Sequence, residues 1–177
     1  MRVIQYVGDR EGTVSELKEA LAGDSAFTPV THILEGLAEE LVHKAPQGAP
    51  HSIYEELWHI AFWQEMTLDW IAGLETAYPA SPRDAFPTAP DMEKENWGQL
   101  CERFFAGLGL AADAAEDEAR WNVQVRCTSR PGELVRRMTV REQLESLAAH
   151  NAYHFGRIVL LRQLLGAWPP PSGGFSW

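Results

Sequence analysis

The sequence is poor in cysteine and in long apolar runs, and each shortage argues against a class of protein. Cys101 and Cys127 are the only cysteines in 177 residues, and they form no C-x-x-C pair. We therefore interpret them as buried, reduced thiols and not as a disulfide or a catalytic thiol. No apolar run reaches the roughly 18 residues of a membrane span. Residues 1–9 lack the length and cleavage site of a signal peptide, so we expect a cytoplasmic protein with no membrane partner.

Positive charge is also scarce. Lys and Arg total 15 against 25 Asp and Glu, which gives a formal net charge of −10. A surface of that sign repels phosphate backbones, so we expect no nucleic-acid partner. The chain contains no G-x-S-x-G, no Walker loop and no G-x-G-x-x-G, so serine-hydrolase and nucleotide-binding functions have no support.

What the chain does have is apolar and aromatic side chains. Hydrophobic residues make up 45% and aromatic residues 10% of the sequence, with seven Trp, which is typical of a globular protein and not of a disordered one. A chain of this length can bury a stable hydrophobic core without disulfides or a structural metal. We predict a single domain over residues 1–177 with a Pro/Gly-rich tail over 168–177. A loose tail is the default, and packing on the bundle or on a second subunit is the alternative.

Apolar residues at helical spacing predict a short helix and then four long ones. Ser52 and Thr139 each precede Glu by three residues, the capping-box spacing of a helix start, and Thr13 does so for the short helix. Thr28-Pro29 and Asp91 are the other expected starts. The expected helices span 13–22, 28–45, 52–73, 91–118 (with a break possible at Gly107 or Gly109) and 139–168.

Alternation of apolar and polar residues replaces helical spacing just before the last helix. It runs over 121–128, a Pro131-Gly132 turn follows, and 134–138 could return as the partner strand. The fold class is therefore all-α, a four-helix bundle with a short β-hairpin before its last helix.

Two histidines lie one turn apart on the inner face of the last helix. His150 and His154 follow Leu147 and precede Ile158 at steps of three or four residues, so they share a face that a bundle buries. Buried imidazoles need a metal ion or a hydrogen-bond partner. The pair alone leaves both interpretations open.

A third histidine makes the metal the favoured interpretation. His59 belongs to the apolar helix 52–73 and shares a face with Phe62, Trp63 and Met66. In a bundle it can meet His150 and His154. Three imidazoles leave one coordination position open, and three neutral ligands leave the double charge of the ion uncompensated, which favours deprotonation of a bound molecule.

Three segments carry a resemblance to a known family. Residues 50–63 (PHSIYEELWHIAFW), 150–157 (HNAYHFGR) and 164–169 (LLGAWP) resemble the DinB-like (YfiT-like) metalloprotein superfamily in order and spacing. The resemblance implies a four-helix bundle, a homodimer, and a divalent metal, commonly zinc or nickel, held by His59, His150 and His154. It also implies a thiol-dependent transferase or isomerase, the activity assigned to most characterised members, which use bacillithiol or mycothiol. Arg157 stands where the family motif usually has Gln.

We therefore expect a metal-dependent enzyme that acts on a small-molecule substrate, with zinc as the first choice of metal and nickel or another transition metal as alternatives. Thiol-dependent S-transfer, with a low-molecular-weight thiol, is the leading reaction, because a thiolate needs no general base and none is obvious beside the histidines. A metal-dependent hydrolase and a non-catalytic metal- or ligand-binding stress-response protein are the alternatives. A metal-free core of hydrogen-bonded histidines is the structural alternative.

Five residues lie close in sequence to the three histidines, and helix geometry predicts a place for four of them. We expect Glu55 to cap its helix, while Glu56 is the other candidate to orient His59. Asn151 and Tyr153 should point away from the ligand face, and His51 could reach the bundle mouth or solvent.

Two longer features complete the sequence prediction. We interpret loop 75–90 as a passive crossover and not a lid. An arginine cluster could receive an anionic substrate, but we favour a solvated patch that pairs with nearby Glu. The cluster comprises Arg126, Arg130, Arg136, Arg137 and Arg141.

Overall fold

A computed structural model describes residues 10–23 and 26–173, with side chains from residue 16 onward. Two short 3-10 helices, Pro82–Ala85 and Glu118–Arg120, lie in the loops. The remaining elements, in chain order, are α1 Arg10–Ala22, α2 Val30–Leu34, α3 Glu39–Val42, α4 Ile53–Ile71, α5 Ala89–Lys94, α6 Trp97–Glu116, β1 Gln124–Cys127, β2 Arg136–Thr139 and α7 Val140–Leu164.

Four helices form the bundle. Helix α4 packs along both α6 and α7, and α1 closes the opposite side against the same two helices. Leu57, Ile60 and Leu100 are fully buried at the α4–α6 side and Ile158 at the α7 side. The predicted all-α bundle with a hairpin before the last helix is confirmed. Within the described residues, no helix combines the length and apolarity needed to cross a bilayer.

The two helices that carry the histidines begin at the predicted capping boxes. The Ser52 hydroxyl accepts from the Glu55 amide at 3.3 Å, and the Glu55 carboxylate accepts from the Ser52 amide at 2.7 Å. Thr139 and Glu142 make the same reciprocal pair at the start of α7. Because each box satisfies two backbone donors, it fixes where the helix begins, and hence which face the histidines occupy.

The predicted helix over 28–45 is wrong. The chain there forms α2 and α3, separated at Gly36, whose φ of +68° is the left-handed region that favours glycine. An added Cβ at Gly36 would lie 2.7 Å from Cγ of Pro171, so the break is also a packing contact with the C-terminal segment. The first bundle helix is α1 instead. It begins at Arg10, so Thr13 lies inside the helix and the predicted capping box there is wrong.

The predicted start of the third helix at Asp91 is also wrong. Asp91 is the third residue of the short helix α5 and accepts from the Thr88 amide at 2.9 Å. Helix α6 begins at Trp97 after its own box, in which the Asn96 side chain accepts from the Gln99 amide at 2.9 Å. The helix then runs unbroken to Glu116.

The hairpin and the last helix are present but shorter than predicted. Strands β1 and β2 are antiparallel, with Cys127 opposite Arg136 and Gln124 opposite Thr139. Residues 134 and 135 lie outside β2, and the Leu134 side chain is 93% exposed. Helix α7 ends at Leu164, because Gly166 turns the chain with a φ of +70°.

The segment after α7 packs against the bundle, so for the described residues up to 173 the alternative of packing holds and the default of a loose tail is wrong. Pro170 is buried, and the Ser172 amide donates to the Glu35 carboxylate at 3.3 Å. Residues 174–177 of that predicted tail lie outside the described residues.

Candidate metal centre

The structure brings His59 of α4 together with His150 and His154 of α7. One ring nitrogen from each histidine lies within 4.8 Å of the other two. Nε2 of His59 and Nε2 of His150 are 3.3 Å apart. His59 and His154 are buried and His150 is half-buried. The expected convergence of three imidazoles from two helices is therefore present.

Each of the three rings has a separate hydrogen-bond acceptor for its other nitrogen. Nδ1 of His59 donates to the carbonyl oxygen of Ala85 at 2.7 Å, and Nδ1 of His154 donates to Oε2 of Glu56 at 2.7 Å. Nδ1 of His150 donates to Oδ1 of Asn151 at 3.2 Å. Because these acceptors hold the proton on Nδ1, each Nε2 keeps its lone pair.

Burial keeps two of the rings neutral. It lowers the pKa of His59 to about 4, and the pKa of His150 to about 4, and the neighbouring imidazoles contribute in the same direction. At neutral pH both rings are therefore uncharged, which is the form that binds metal ions.

Glu56 orients a different histidine from the one expected. Its carboxylate is fully buried and bonds His154, while Oε1 lies 2.7 Å from Nη2 of Arg157. The prediction that Glu56 orients His59 is wrong, because the side chain crosses from α4 to α7. Glu55 caps α4, as predicted.

The loop 75–90 is part of the site, so the prediction of a passive crossover is wrong. Besides the Ala85 carbonyl, the loop contributes Phe86, whose ring stacks on His59 with centroids 4.2 Å apart. The other face of Phe86 stacks on His51 at 3.9 Å. His51 therefore lies at the mouth of the bundle, where it supports the loop from outside the cluster.

The two neighbours of the ligand positions on α7 differ from each other. Asn151 is fully buried and contacts His150, a role that the helical face alone did not indicate. Tyr153 is 64% exposed, in agreement with its expected place away from the ligand face.

A cavity of about 160 Å³ opens beside His150, between α4, α7 and the hairpin. One wall is aromatic, made of Trp63, Trp70 and Tyr78. Thr128 and Gln143 supply uncharged polar groups, and the Thr128 hydroxyl accepts from Nε1 of Trp70 at 3.0 Å. The cluster is therefore open to a small molecule on its His150 side.

Most members of the arginine cluster pair with acidic residues, as favoured from the sequence. Arg126 pairs with Glu75, and Arg141 with Glu145 at 2.7 Å. Arg130 pairs with Glu133 at 3.5 Å and stacks on Tyr78. Arg136 and Arg137 differ, because no described contact joins either of them to a carboxylate, and Arg136 lines the cavity.

The two cysteines are free thiols, as predicted. Cys127 is buried and borders the cavity, where Sγ donates to Oε1 of Gln143 at 3.6 Å. Cys101 is only half-buried, and burial still raises the pKa of its thiol to about 12. Burial also raises the pKa of Cys127. Neither thiol is therefore activated as a nucleophile.

A family model described as the DinB superfamily matches residues 25–158, about three quarters of the chain. The match includes all three histidines, Glu56, Ala85 and Arg157. A search of the curated proteins found no match.

Proposed function

The chain belongs to the DinB superfamily, and from that premise we propose that it is a divalent-metal-dependent enzyme whose ion is held by His59, His150 and His154. One observation carries the proposal. Three buried or half-buried imidazoles converge through nitrogens left with lone pairs, while every Nδ1 is engaged elsewhere.

The donor set fits such an ion. Two ligands of a tetrahedral ion at about 2.1 Å lie roughly 3.4 Å apart, and Nε2 of His59 and Nε2 of His150 are 3.3 Å apart. Without a cation or a shared proton between them, two lone pairs at that distance would repel each other in a dry site. A metal-free core would need a proton shared between these two Nε2 atoms, and the elemental analysis described in the Discussion distinguishes it from a bound ion.

Zinc is the metal we propose, with nickel or another transition ion as the alternative, since imidazole suits both. An ion held by three neutral ligands keeps its double charge and supplies Lewis acidity, which lowers the pKa of a bound thiol or water. The aromatic wall of Trp63, Trp70 and Tyr78 excludes water and packs against the apolar part of a substrate.

The reaction we propose is conjugation of a low-molecular-weight thiol with a small electrophile: the thiol sulfur bonds to the electrophilic carbon, the leaving group departs with the electron pair of its bond to that carbon, and the thiol proton passes to water. The support is the absence of a free general base among the described residues around the cavity. Glu133 is paired with Arg130, and Glu56 is bonded to His154 and Arg157. A thiolate needs no base, whereas hydrolysis is helped by one, so a metal-dependent hydrolase ranks second. The open cavity argues against a non-catalytic metal- or ligand-binding stress-response role.

The test uses zinc-loaded protein with bacillithiol, mycothiol or glutathione and a panel of small electrophiles. We expect conjugation with at least one thiol, and its loss in His150→Ala. His43→Ala is the matched control, because His43 is exposed and bonds Glu39 away from the cavity. Hydrolysis of ester or amide substrates without any thiol reaction would select the hydrolase. A metal-loaded protein inactive in both assays would overturn the enzyme proposal.

The cytoplasmic location and the homodimer stay predictions. Sedimentation of the purified chain at micromolar concentration would show two chains per particle, and a monomer at every concentration would remove the dimer.

A further inference from the structure

We propose that Arg157 is a positioning residue for His154: it holds the buried Glu56 carboxylate in the orientation that fixes the His154 ring toward the metal. This inference rests on the proposed metal site. It concerns the position at which the chain has Arg in place of the Gln that the family motif usually has.

The geometry forms a closed chain of contacts between two helices. Glu56 projects from α4 and is fully buried. Its Oε2 accepts from Nδ1 of His154 at 2.7 Å, and its Oε1 lies 2.7 Å from Nη2 of Arg157. His154 and Arg157 are three residues apart on α7, so they lie on the same side of that helix. One carboxylate therefore connects the ligand to the arginine.

A cation at residue 157 has a clear electrostatic role. An ionised carboxylate removed from water is costly unless it is paired and hydrogen-bonded. Arg157 supplies the opposite charge, and its guanidinium reaches Glu56 from the half-buried edge of the bundle while stacking over Tyr153 at 5.9 Å. Oε2 is hydrogen-bonded to His154 and Oε1 is in ion-pair contact with Arg157, so a carboxylate that turned away from His154 would also lose its charge partner.

Arg157 is not placed to contact a substrate in the cavity. The cavity opens on the His150 side of the cluster, and Arg157 is not among the residues around it. It lines instead a separate surface depression with Pro50, His51 and Leu160. Arg157 therefore supports His154 through Glu56 and does not contact the reacting molecule.

Metal affinity is the quantity that Arg157 should control. Partners that orient a ligating histidine typically contribute about 10- to 100-fold to metal affinity. We expect Arg157→Met to weaken zinc binding by about tenfold, because Glu56 then loses its charge partner and its fixed orientation. Arg157→Lys keeps the charge and should recover part of the loss.

The experiment measures zinc affinity by competition with a chromogenic chelator and records the visible spectrum of the cobalt-loaded protein. Arg141→Met is the matched control, because it removes the same charge from the same helix at a residue that pairs with Glu145. We expect its zinc affinity and cobalt spectrum to be unchanged, while Arg157→Met shifts the cobalt spectrum. A thermal melt of each variant shows that it is folded.

A double-mutant cycle separates positioning from other effects of the substitution. In the Glu56→Gln background, Arg157→Met should have little further effect on zinc affinity, because both act through one carboxylate. Zinc affinity that is equal in Arg157→Met and the unaltered protein, or an undiminished loss in the Glu56→Gln background, would overturn this inference. Absence of zinc binding in the unaltered protein would overturn the proposed metal site as well.

Discussion

The carbonyl oxygen of Ala85 accepts the Nδ1 proton of His59 at 2.7 Å, across 26 residues of sequence. This bond joins a candidate metal ligand to the backbone of loop 75–90. The ring of Phe86 strengthens the connection, since it stacks between His59 and His51. We therefore expect an ion bound by His59 to be coupled to the order of the loop.

Zinc should slow hydrogen exchange in this loop. Coupling between two sites is reciprocal, so an ion that fixes the His59 ring also stabilises the segment that bonds it. The amides of Asp84 and Phe86, bonded within the loop at 3.1 and 3.0 Å, should gain protection when zinc is added. The amide of Glu133, bonded at 3.0 Å in the hairpin turn, is the control and should not change. Equal exchange in the loop with and without zinc would contradict the coupling.

Acid should destabilise the metal-free protein in a defined window. Burial lowers the pKa of His59 and of His150 from 6.5 to about 4. At pH values between about 4 and 6.5, the unfolded chain therefore binds more protons than the folded chain. The free energy of unfolding therefore falls as the pH is lowered from about 6.5 to about 4. Urea unfolding of chelator-treated protein at pH 7 and at pH 5 measures the loss. His150→Phe removes one of the two titrating groups, so its unfolding free energy should fall less between pH 7 and pH 5. An equal fall in this variant would contradict the contribution of His150.

Two glycines of α6 should respond oppositely to alanine. A Cβ added at Gly107 would collide with the side-chain amide of Gln64, whose Nε2 donates to the Phe104 carbonyl at 2.9 Å. A Cβ added at Gly109 would have no neighbouring atom within 4 Å. We expect Gly107→Ala to destabilise by about 1–2 kcal/mol and Gly109→Ala to stabilise by about 0.5–1 kcal/mol. Chemical denaturation measures both. Stabilisation by both substitutions would show that helix propensity, not packing, dominates at Gly107.

Much of the site could be predicted because its main signals are local. The capping boxes at Ser52 and Thr139 and the helical spacing of His150 and His154 depend on neighbours within a few residues. They fixed the helix starts and the faces that carry the histidines. The faces of α4 and α7 then required the three imidazoles to meet inside the bundle.

The parts that were missed depend on contacts between distant segments. Ala85 acts through its backbone carbonyl, which every residue carries, so no sequence signal marks it. Glu56 reaches across to His154 because α4 and α7 lie side by side, which spacing within α4 does not reveal. The break at Gly36 lies against Pro171 from the far end of the sequence, and helical spacing over 28–45 concealed it.

The role of Arg162 also depends on contacts with distant segments, and substituting it tests that role through the stability of the protein. Its side chain is almost fully buried on α7 and donates to the carbonyls of Ile33 and Ala167, which ties α2 and the end of α7 together. Arg162→Met leaves the buried Ile33 carbonyl and the part-buried Ala167 carbonyl without their guanidinium donor, so we expect a loss of about 2–3 kcal/mol in unfolding free energy. Zinc affinity should be unchanged, because the residue lies two turns beyond His154. A loss below about 0.5 kcal/mol would show that water replaces the guanidinium.

The metal content of the protein, purified without a nickel column, tests the central claim most directly. Elemental analysis should find about one zinc or other transition-metal ion per chain, as a single three-histidine site requires. His59→Ala, His150→Ala and His154→Ala should each lose it, while His43→Ala should keep it. A metal content near zero that zinc addition does not raise, or an unchanged content in His150→Ala, would contradict the three-histidine centre.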